Sequence, residues 1–356
     1  LLAFWALPPV AWILIGFGLA VPFFWKQRLA LISFAVIIAA TAVPQPDTYW
    51  SPYYRVRLYR FSPPEGWHQP AAYHVDVNHD YHQRMVDLSP EFLARYPEAE
   101  PNRSSLPTYE LPYRLVEHPG EVLIVGAGSG NDVSAALRHG ATHVDAVEID
   151  PIIVRLGRRH HPERPYQSAR VTVHVDDARA FFKKAKKKYD LIVFGYLDSH
   201  TLLSSYSSLR LDNYVYTLES FREARGLLKP DGTLVLAFNS GLGFVTDRLF
   251  TTLSQAFGVP PRAYFTGYDY SGVVLIQGRA RETAALKDFP EVSRQLHARE
   301  RATVIATDRW PFLYLAGRGI PGAYLGLAGM LAVIAAAWVR RVFPRGAGLH
   351  GHFFFL

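Results

Sequence analysis

A glycine-rich segment, "VLIVGAGSGNDV", holds residues whose types and spacing indicate chemistry. Its glycines fall at Gly126, Gly128 and Gly130, directly after an apolar run and directly before a helical pattern. A residue without a Cβ lets a ligand approach the backbone closely, and the first turn of the following helix has unpaired N–H groups. The segment is therefore predicted to bind a nucleotide, with Ser129 in the same loop; a tight structural turn is the alternative.

Acidic residues end the next two predicted strands. The run "AVEID" places Glu148 eighteen residues after Gly130, where its carboxylate can accept hydrogen bonds from both hydroxyls of a ribose. The run "HVDDARAFF" places Asp177 at the start of a helix, where it can accept from an adenine amino group or cap the helix. Asp150 and Ala178, which lie beside these acids, are assigned to the same cofactor site.

These three strand tips together resemble the S-adenosylmethionine site of class I methyltransferase folds. NAD binding is the weaker alternative, because a dinucleotide fingerprint normally carries its third glycine one residue later, where this chain has Asn131. The resemblance implies that the cofactor is S-adenosylmethionine or its decarboxylated form, and it implies no metal.

Four further stretches resemble the spermidine synthase family, which uses this fold to move an aminopropyl group from decarboxylated S-adenosylmethionine. They are "SPYYRVRLY", "DYHQRMV", "VEIDPIIV" and "LKPDGTLVLAF", similar to the family's opening strand, its Tyr-His-Glu helix start, its second strand and its fifth strand. The resemblance covers roughly residues 50 to 278. It implies contacts with the substrate from Tyr81, His82, Gln83 and Tyr196. The polar loop "HTLLSSYSSLRLDNYVYT" adds Tyr216 to this site, and a flexible lid without ligand contacts is the alternative for the loop.

Three positions depart from the pattern of that family. The family usually carries Asp where this chain has Ser129 and Glu where it has Gln83, and its fourth strand ends in Asp-Ser-x-Asp-Pro. Laid over "VFGYLDSH", the first of these Asp residues, which deprotonates the attacking amine, falls on Gly195, and the second, which holds the amine, falls on Asp198. Asp198 and His200 are therefore the catalytic candidates, since an ammonium must lose a proton before it can attack carbon.

The elements that must position these residues alternate between apolar strands and helices of about 10 to 15 residues. This alternation over residues 119–280 predicts a doubly wound α/β domain with a mostly parallel, seven-stranded sheet that binds ligands at the carboxyl ends of its strands. Residues 45–118 are predicted to form a small N-terminal β region and linker, in which two strands give way to a helix near "DYHQRMV".

Apolar runs at both ends predict membrane segments. Residues 1–44 are expected to form a transmembrane hairpin: Leu1–Trp25 carries no charge, whereas the second run, 29–43, is short. A linker at 281–318 leads to a transmembrane helix at 319–341, and 342–356 is expected to be a loop and the start of a further helix. A signal peptide is the alternative for the first run, which lacks a basic start and a cleavage site. These flanks resemble a bacterial group in which a spermidine synthase-like domain is fused to several membrane helices.

Composition excludes several function classes. The chain has no Cys, so disulfides, thiolate metal sites and a Cys nucleophile are excluded. The net charge is +7, but its dense basic run, "KKAKKK", fits a solvated helix face, and no nucleic-acid motif accompanies it. Basic residues flank the apolar runs equally on both sides, so the positive-inside rule leaves the orientation open.

The expected function is therefore a membrane-anchored, spermidine synthase-like transferase that alkylates an unknown small-molecule or lipid-like acceptor. Because adenosyl donors are cytosolic, the central domain is expected to face the cytoplasm from the bacterial inner membrane. Ordinary spermidine synthesis is disfavoured, since Gly195 stands where the base is expected. The alternative is a catalytically inactive scaffold or assembly subunit of a larger membrane complex.

Overall fold

The structure is a computed structural model. It describes residues 5, 7–62, 65, 68, 72–97, 99, 106–197, 213–239, 241–267, 272–283, 286–299, 303–320 and 322–342. The chain divides into two compact units, Leu1–Tyr314 and Leu315–Leu356.

The first unit combines strands and helices in an alternating order. The strands are β1 (Thr48–Trp50), β2 (Arg55–Phe61), β3 (Ala72–Val77), β4 (Asp80–Met85), β5 (Glu121–Val125), β6 (His143–Glu148), β7 (Val171–Val175), β8 (Tyr189–Phe194), β9 (Leu228–Asn239), β10 (Arg262–Phe265) and β11 (Gly272–Gly278). The helices of both units are α1 (Pro9–Phe24), α2 (Arg28–Thr41), α3 (Pro90–Arg95), α4 (Leu106–Leu115), α5 (Asn131–Arg138), α6 (Pro151–His160), α7 (Ala178–Lys184), α8 (Leu218–Gly226), α9 (Gly243–Phe257), α10 (Ala280–Thr283), α11 (Ser293–Arg299) and α12 (Gly322–Val342).

The larger sheet has seven strands in the order β10-β11-β9-β8-β5-β6-β7. The five strands from β9 to β7 in this order are parallel, whereas β11 runs antiparallel to both β9 and β10. The predicted α/β fold with a mostly parallel sheet is therefore confirmed. The insertion of β11 between β9 and β10 was not predicted, because sequence order alone does not show which edge of a sheet a late hairpin joins.

Both faces of this sheet are buried, which explains why its strands are continuous apolar runs. In β5, Val122 and Ile124 point into one hydrophobic cluster, which includes Val133 of α5. Leu123 and Val125 point to the opposite face and share a cluster with Phe221 of α8. Because these strands are parallel, their carboxyl ends lie at one edge of the sheet, where the loops after β5, β6, β7 and β8 meet.

The N-terminal region forms a separate antiparallel sheet in the order β1-β2-β3-β4. The helix predicted near "DYHQRMV" is wrong, since Tyr81, His82 and Gln83 lie in β4. Asn78 and His79 have φ angles of 50° and 77° and connect Val77 to Asp80 as a two-residue hairpin turn. Two consecutive left-handed residues return the chain as a strand, and Asn favours this conformation.

Two buried arginines, Arg179 and Arg248, bind the segment that contains Val304 and Asp308 to the helices. Arg179 of α7 donates to both carboxylate oxygens of Asp308 at 3.0 Å, and Thr217 donates to the same carboxylate at 2.7 Å. Arg248 of α9 donates to the backbone carbonyl oxygen of Val304 at 2.7 Å. These contacts hold part of the predicted linker, 281–318, against the α/β domain.

Among the described residues, one helix is long and apolar enough to cross a membrane, within Gly322–Arg341. Helix α1 has 16 residues and α2 has 14. At 1.5 Å per residue, α1 is about 24 Å long, which is less than the ~30 Å hydrocarbon core. The predicted run Leu1–Trp25 is therefore longer than α1. Among the described residues, no helix other than α12 is long enough to be shown as a membrane span.

Candidate functional site

The loop between β5 and α5 folds back toward the neighbouring strand. The backbone N–H groups of Gly126 and Ala127 both donate to the carbonyl oxygen of Val147 at 2.9 Å. Gly126 has a φ of 72°, and a Cβ there would lie 1.6 Å from Leu197 Cδ2; Gly128 has a φ of 54°, and a Cβ there would lie 2.7 Å from Gln83 Oε1. Glycine is required at both positions because the backbone is left-handed and the surrounding space is filled.

Two residues that sequence reasoning missed support this loop from behind. The Tyr166 hydroxyl lies 2.7 Å from the carbonyl oxygen of Gly128 and 3.1 Å from that of Ala127. Gly157 of α6 packs directly under the loop, where a Cβ would lie 2.3 Å from the carbonyl oxygen of Ser129. The loop is therefore held between α6 and β6, and the sequence signal for Gly157, a glycine inside a helix, was available.

Glu148 lies at the end of β6, beside the glycine loop, as the sequence predicted. Its Oε2 accepts from the backbone N–H of Gly128 and its Oε1 from that of Asp150, both at 2.9 Å. Burial raises the pKa of Glu148 to about 7, although these backbone hydrogen bonds oppose the rise. A buried carboxylate that is already oriented by backbone donors is suited to accept hydrogen bonds from ligand hydroxyls.

Asp150 and Asp177 act as helix caps. Asp150 Oδ1 accepts from the backbone N–H of Ile152 at 2.8 Å at the start of α6. Asp177 Oδ1 accepts from the backbone N–H of Ala180 at 2.9 Å, and Ala178 is the first residue of α7. Capping of α7 is thus the role that the structure gives Asp177, and a contact with adenine stays a prediction.

Two of the departures from the family pattern meet in space. Gln83 Oε1 accepts from both the backbone N–H and the hydroxyl of Ser129, at 2.9 and 2.8 Å. Because the backbone N–H can only donate, it fixes the orientation of the Gln83 amide. Gln83 Nε2, the other end of the amide, is buried, and among the described residues it has no hydrogen-bond partner. An unpartnered buried N–H₂ group is suited to a ligand acceptor.

Asn131 ties the loop to the N-terminal sheet, which sequence reasoning also missed. Its Nδ2 donates to the carbonyl oxygen of Arg84 at 2.8 Å and its Oδ1 accepts from the backbone N–H of Val86 at 3.2 Å. His161 Nε2 lies 3.0 Å from the same Oδ1, while its Nδ1 accepts from the backbone N–H of Glu163. Burial, with a smaller contribution from a nearby arginine charge, lowers the pKa of His161 to about 3, so the ring is neutral.

The remaining predicted residues are not gathered into one site. Asp198 and His200 lie outside the described residues. Tyr216 is fully buried and packs edge-on against Phe238, with ring centroids 5.3 Å apart, which is a core contact. Tyr81 is exposed on β4 with its ring 5.8 Å from that of His74.

At the end of β8, Tyr196 packs partly buried against the core. Beside it, a Cβ built on Gly195 would lie 2.9 Å from Asp132 Oδ2. His82 lies in β4, next to Gln83. Within the described parts of the chain no cluster of three or more His, Asp or Glu could hold a metal ion.

Comparisons with known proteins agree with this geometry. Residues 108–256 match the family described as "Spermine/spermidine synthase domain". This part of the chain is therefore similar to spermidine synthase domains, and we refer to it as the spermidine synthase-like domain. The matched segment contains the glycine loop, Glu148, Asp177 and Gly195, whereas Gln83 lies outside it.

Individual relatives match part of their length. The polyamine aminopropyltransferase 2 of Hyperthermus butylicus is 32% identical over 121 residues, which cover 33% of this chain and 37% of that protein. The polyamine aminopropyltransferase of Korarchaeum cryptofilum is 26% identical over 164 residues, 45% of each chain. The chain thus spans less than half the length of these relatives.

A structural comparison shows the fold. A probable spermidine synthase from Corynebacterium glutamicum superposes with a TM-score of 0.51 at 14% identity, covering 78% of this chain and all of the other. The spermidine synthase-like domain therefore has the class I methyltransferase-like fold that the strand order indicates.

Proposed function

We propose that the spermidine synthase-like domain binds an S-adenosylmethionine-type donor and transfers an alkyl group from it to an acceptor. The observation that carries this proposal is the buried carboxylate of Glu148, held by the backbone N–H groups of Gly128 and Asp150 at the carboxyl edge of the sheet. A carboxylate at this strand tip can accept hydrogen bonds from both ribose hydroxyls of an adenosyl group.

The pair formed by Gln83 and Ser129 favours a donor that carries a carboxylate. The two positions are neutral, so they offer no charge to the ammonium of a decarboxylated donor. Gln83 Nε2 is instead a buried hydrogen-bond donor without a partner among the described residues, and a ligand carboxylate would satisfy it. S-adenosylmethionine is therefore the preferred donor, and methyl transfer is the preferred reaction.

The acceptor is proposed to be neutral, anionic or lipid-derived. A polycation is attracted by carboxylates, and two of those that the family resemblance implies are replaced by Gln83 and Ser129. Displacement at carbon depends chiefly on aligning the nucleophile, the transferred carbon and the leaving sulfur, so the reaction does not need a polyamine.

Calorimetry on the purified protein tests the donor. S-adenosylmethionine, its decarboxylated form and methylthioadenosine are titrated into the wild type, Glu148→Ala and the exposed control Asp288→Ala. We expect all three ligands to bind, S-adenosylmethionine most tightly, and Glu148→Ala to weaken each by about tenfold or more through the loss of charged hydrogen bonds. Binding to none of the three ligands would refute the enzyme and support the alternative, an inactive scaffold or assembly subunit.

We also propose that α12 anchors the protein in the bacterial inner membrane, with the spermidine synthase-like domain facing the cytoplasm. The support is the apolar segment Gly322–Arg341, whose apolar part is not buried and whose last two residues are Arg340 and Arg341. Further spans from α1 and α2 and contacts with other membrane subunits are part of this proposal. Protease added to intact spheroplasts should leave the domain uncut, and cleavage from outside would contradict the orientation.

A further inference from the structure

Most described carboxylates at the carboxyl edge of the sheet already have structural partners. Glu148 accepts from two backbone N–H groups, and Asp150 and Asp177 cap helices. Asp176 pairs with Lys184 at 2.9 Å. The carboxylate of Asp132, in the first turn of α5, has no Lys, Arg or His in an ion pair with it within the described chain.

Asp132 lies next to Gly195, the residue without a side chain that follows β8. A Cβ on Gly195 would be 2.9 Å from Asp132 Oδ2 and 3.5 Å from its Cγ, so the carboxylate occupies the space that a side chain at 195 would enter. The same point lies 3.7 Å from the carbonyl oxygen of Gly126, at the start of the glycine loop. The Asp132 carboxylate thus lies between the glycine loop and the end of β8.

We propose that Asp132 is the general base of the transfer reaction, a role that rests on the function proposed above. An acceptor amine or hydroxyl gives its proton to Asp132 Oδ2 as its lone pair forms a bond to the transferred carbon. The bond from that carbon to sulfur breaks, and its electron pair converts the sulfonium into a neutral thioether. The protonated carboxyl then releases its proton to solvent, so charge and atoms balance.

The surroundings of Asp132 suit this role. Desolvation raises the pKa of Asp132 to about 7, and the opposing effect is a backbone hydrogen bond from its own residue. The titratable neighbours are Tyr113, whose hydroxyl lies 3.5 Å from the Asp132 carbonyl oxygen, and Tyr166 under the loop. Burial raises the pKa of both tyrosines well above 10, so neither titrates near neutral pH. A base with a pKa near the working pH transfers protons efficiently.

Moving the carboxylate from position 132 to position 195 tests the proposal. The probes are methylthioadenosine and a 5′-thioadenosine that carries an aminoalkyl chain on sulfur, which places an ammonium on the acceptor side. Their affinities are measured by calorimetry at pH 8 for the wild type, Asp132→Asn, Asp132→Asn/Gly195→Asp and the control Asp132→Asn/Gly195→Asn. The transfer of labelled methyl groups from S-adenosylmethionine to ethanolamine is followed in parallel over pH 5.5–9.

We expect the wild type to bind the aminoalkyl probe at least tenfold more tightly than methylthioadenosine. Asp132→Asn should lose this preference while binding methylthioadenosine normally, which shows that the variant is folded. Adding Gly195→Asp to the Asp132→Asn variant should restore the preference, and adding Gly195→Asn should not. Turnover should fall by ~10²-fold or more in Asp132→Asn and lose its inflection near pH 7.

The outcomes separate the two proposals. If the wild type binds neither probe, the proposed function fails. If both probes bind and Asp132→Asn keeps the preference for the aminoalkyl probe, or keeps the wild-type pH profile of transfer, Asp132 is not the base.

Discussion

The carboxylate of Glu148 makes folding stability depend on pH in a way that one substitution removes. In Glu148→Gln the side chain keeps its shape and loses its ionisation. One of its two terminal atoms becomes an N–H₂ group, so either Gly128 or Asp150 loses the acceptor for its backbone N–H. That loss costs about 1–3 kcal/mol at every pH, because a buried donor is left without a partner.

The sign and size of the pH effect follow from the pKa of Glu148, which burial raises from 4.5 to about 7 in the folded protein. Between these values the folded state holds a proton that the unfolded chain has released, so stability falls as pH rises through this window. At about 1.4 kcal/mol per pKa unit, the wild type loses ~3 kcal/mol that Glu148→Gln does not lose. For a domain of this size, the loss corresponds to ~6–12 °C in melting temperature.

Thermal unfolding in detergent at pH 5, 6, 7 and 8 measures the difference. We expect Glu148→Gln to melt below the wild type at pH 5 and the gap to close by pH 8. The matched control is Asp190→Asn: hydrogen bonds from the Glu121 backbone N–H and Lys229 outweigh burial and lower the pKa of Asp190. Its gap to the wild type should therefore stay constant over this range. Parallel pH profiles for the wild type and Glu148→Gln would refute the reasoning.

Two further predictions concern the glycine loop. The double variant Gln83→Glu/Ser129→Asp should shift calorimetric preference from S-adenosylmethionine toward its decarboxylated form by about tenfold or more, because two carboxylates then face the donor's ammonium; an unchanged preference would place the donor tail elsewhere. Gly157→Ala should lower stability by about 1–3 kcal/mol and weaken methylthioadenosine binding, since its Cβ would strike the Ser129 backbone at 2.3 Å. The helical control Gly226→Ala meets nothing within 4 Å and should be neutral or stabilising in chemical denaturation.

The parallel part of the sheet could be predicted from the sequence because each strand buries both faces. Runs such as "EVLIVG" and "YDLIVFG" are apolar throughout, and helical patterns of crossover length separate them. The strand at Asp80–Met85 was missed because its residues are largely polar and only the turn at Asn78 and His79 shows that the chain returns as a hairpin. A helix and an exposed edge strand look alike in so short a polar run.

The site could be predicted where a single local segment defines it and not where distant segments meet. The glycine loop and Glu148 follow from spacing along one βαβ unit. The contact of Gln83 with Ser129 joins residues 46 positions apart, and that of His161 with Asn131 joins residues 30 positions apart. The first contact depends on how the N-terminal sheet docks and the second on how the helices after β5 and β6 pack, and no local pattern encodes either arrangement.

The three departures from the family pattern are matched to one another, and this bears on whether the site functions. Random loss of carboxylates would leave the remaining groups without new partners. Here Gln83 and Ser129 are hydrogen-bonded to each other, and the space above Gly195 contains the carboxylate of Asp132. Gly195→Asp alone would place its Cβ 2.9 Å from Asp132 Oδ2 and bring two carboxylates together. This is unfavourable unless one of them is protonated. Gly195 and Asp132 are therefore compatible with each other, whereas Asp at both positions would not be.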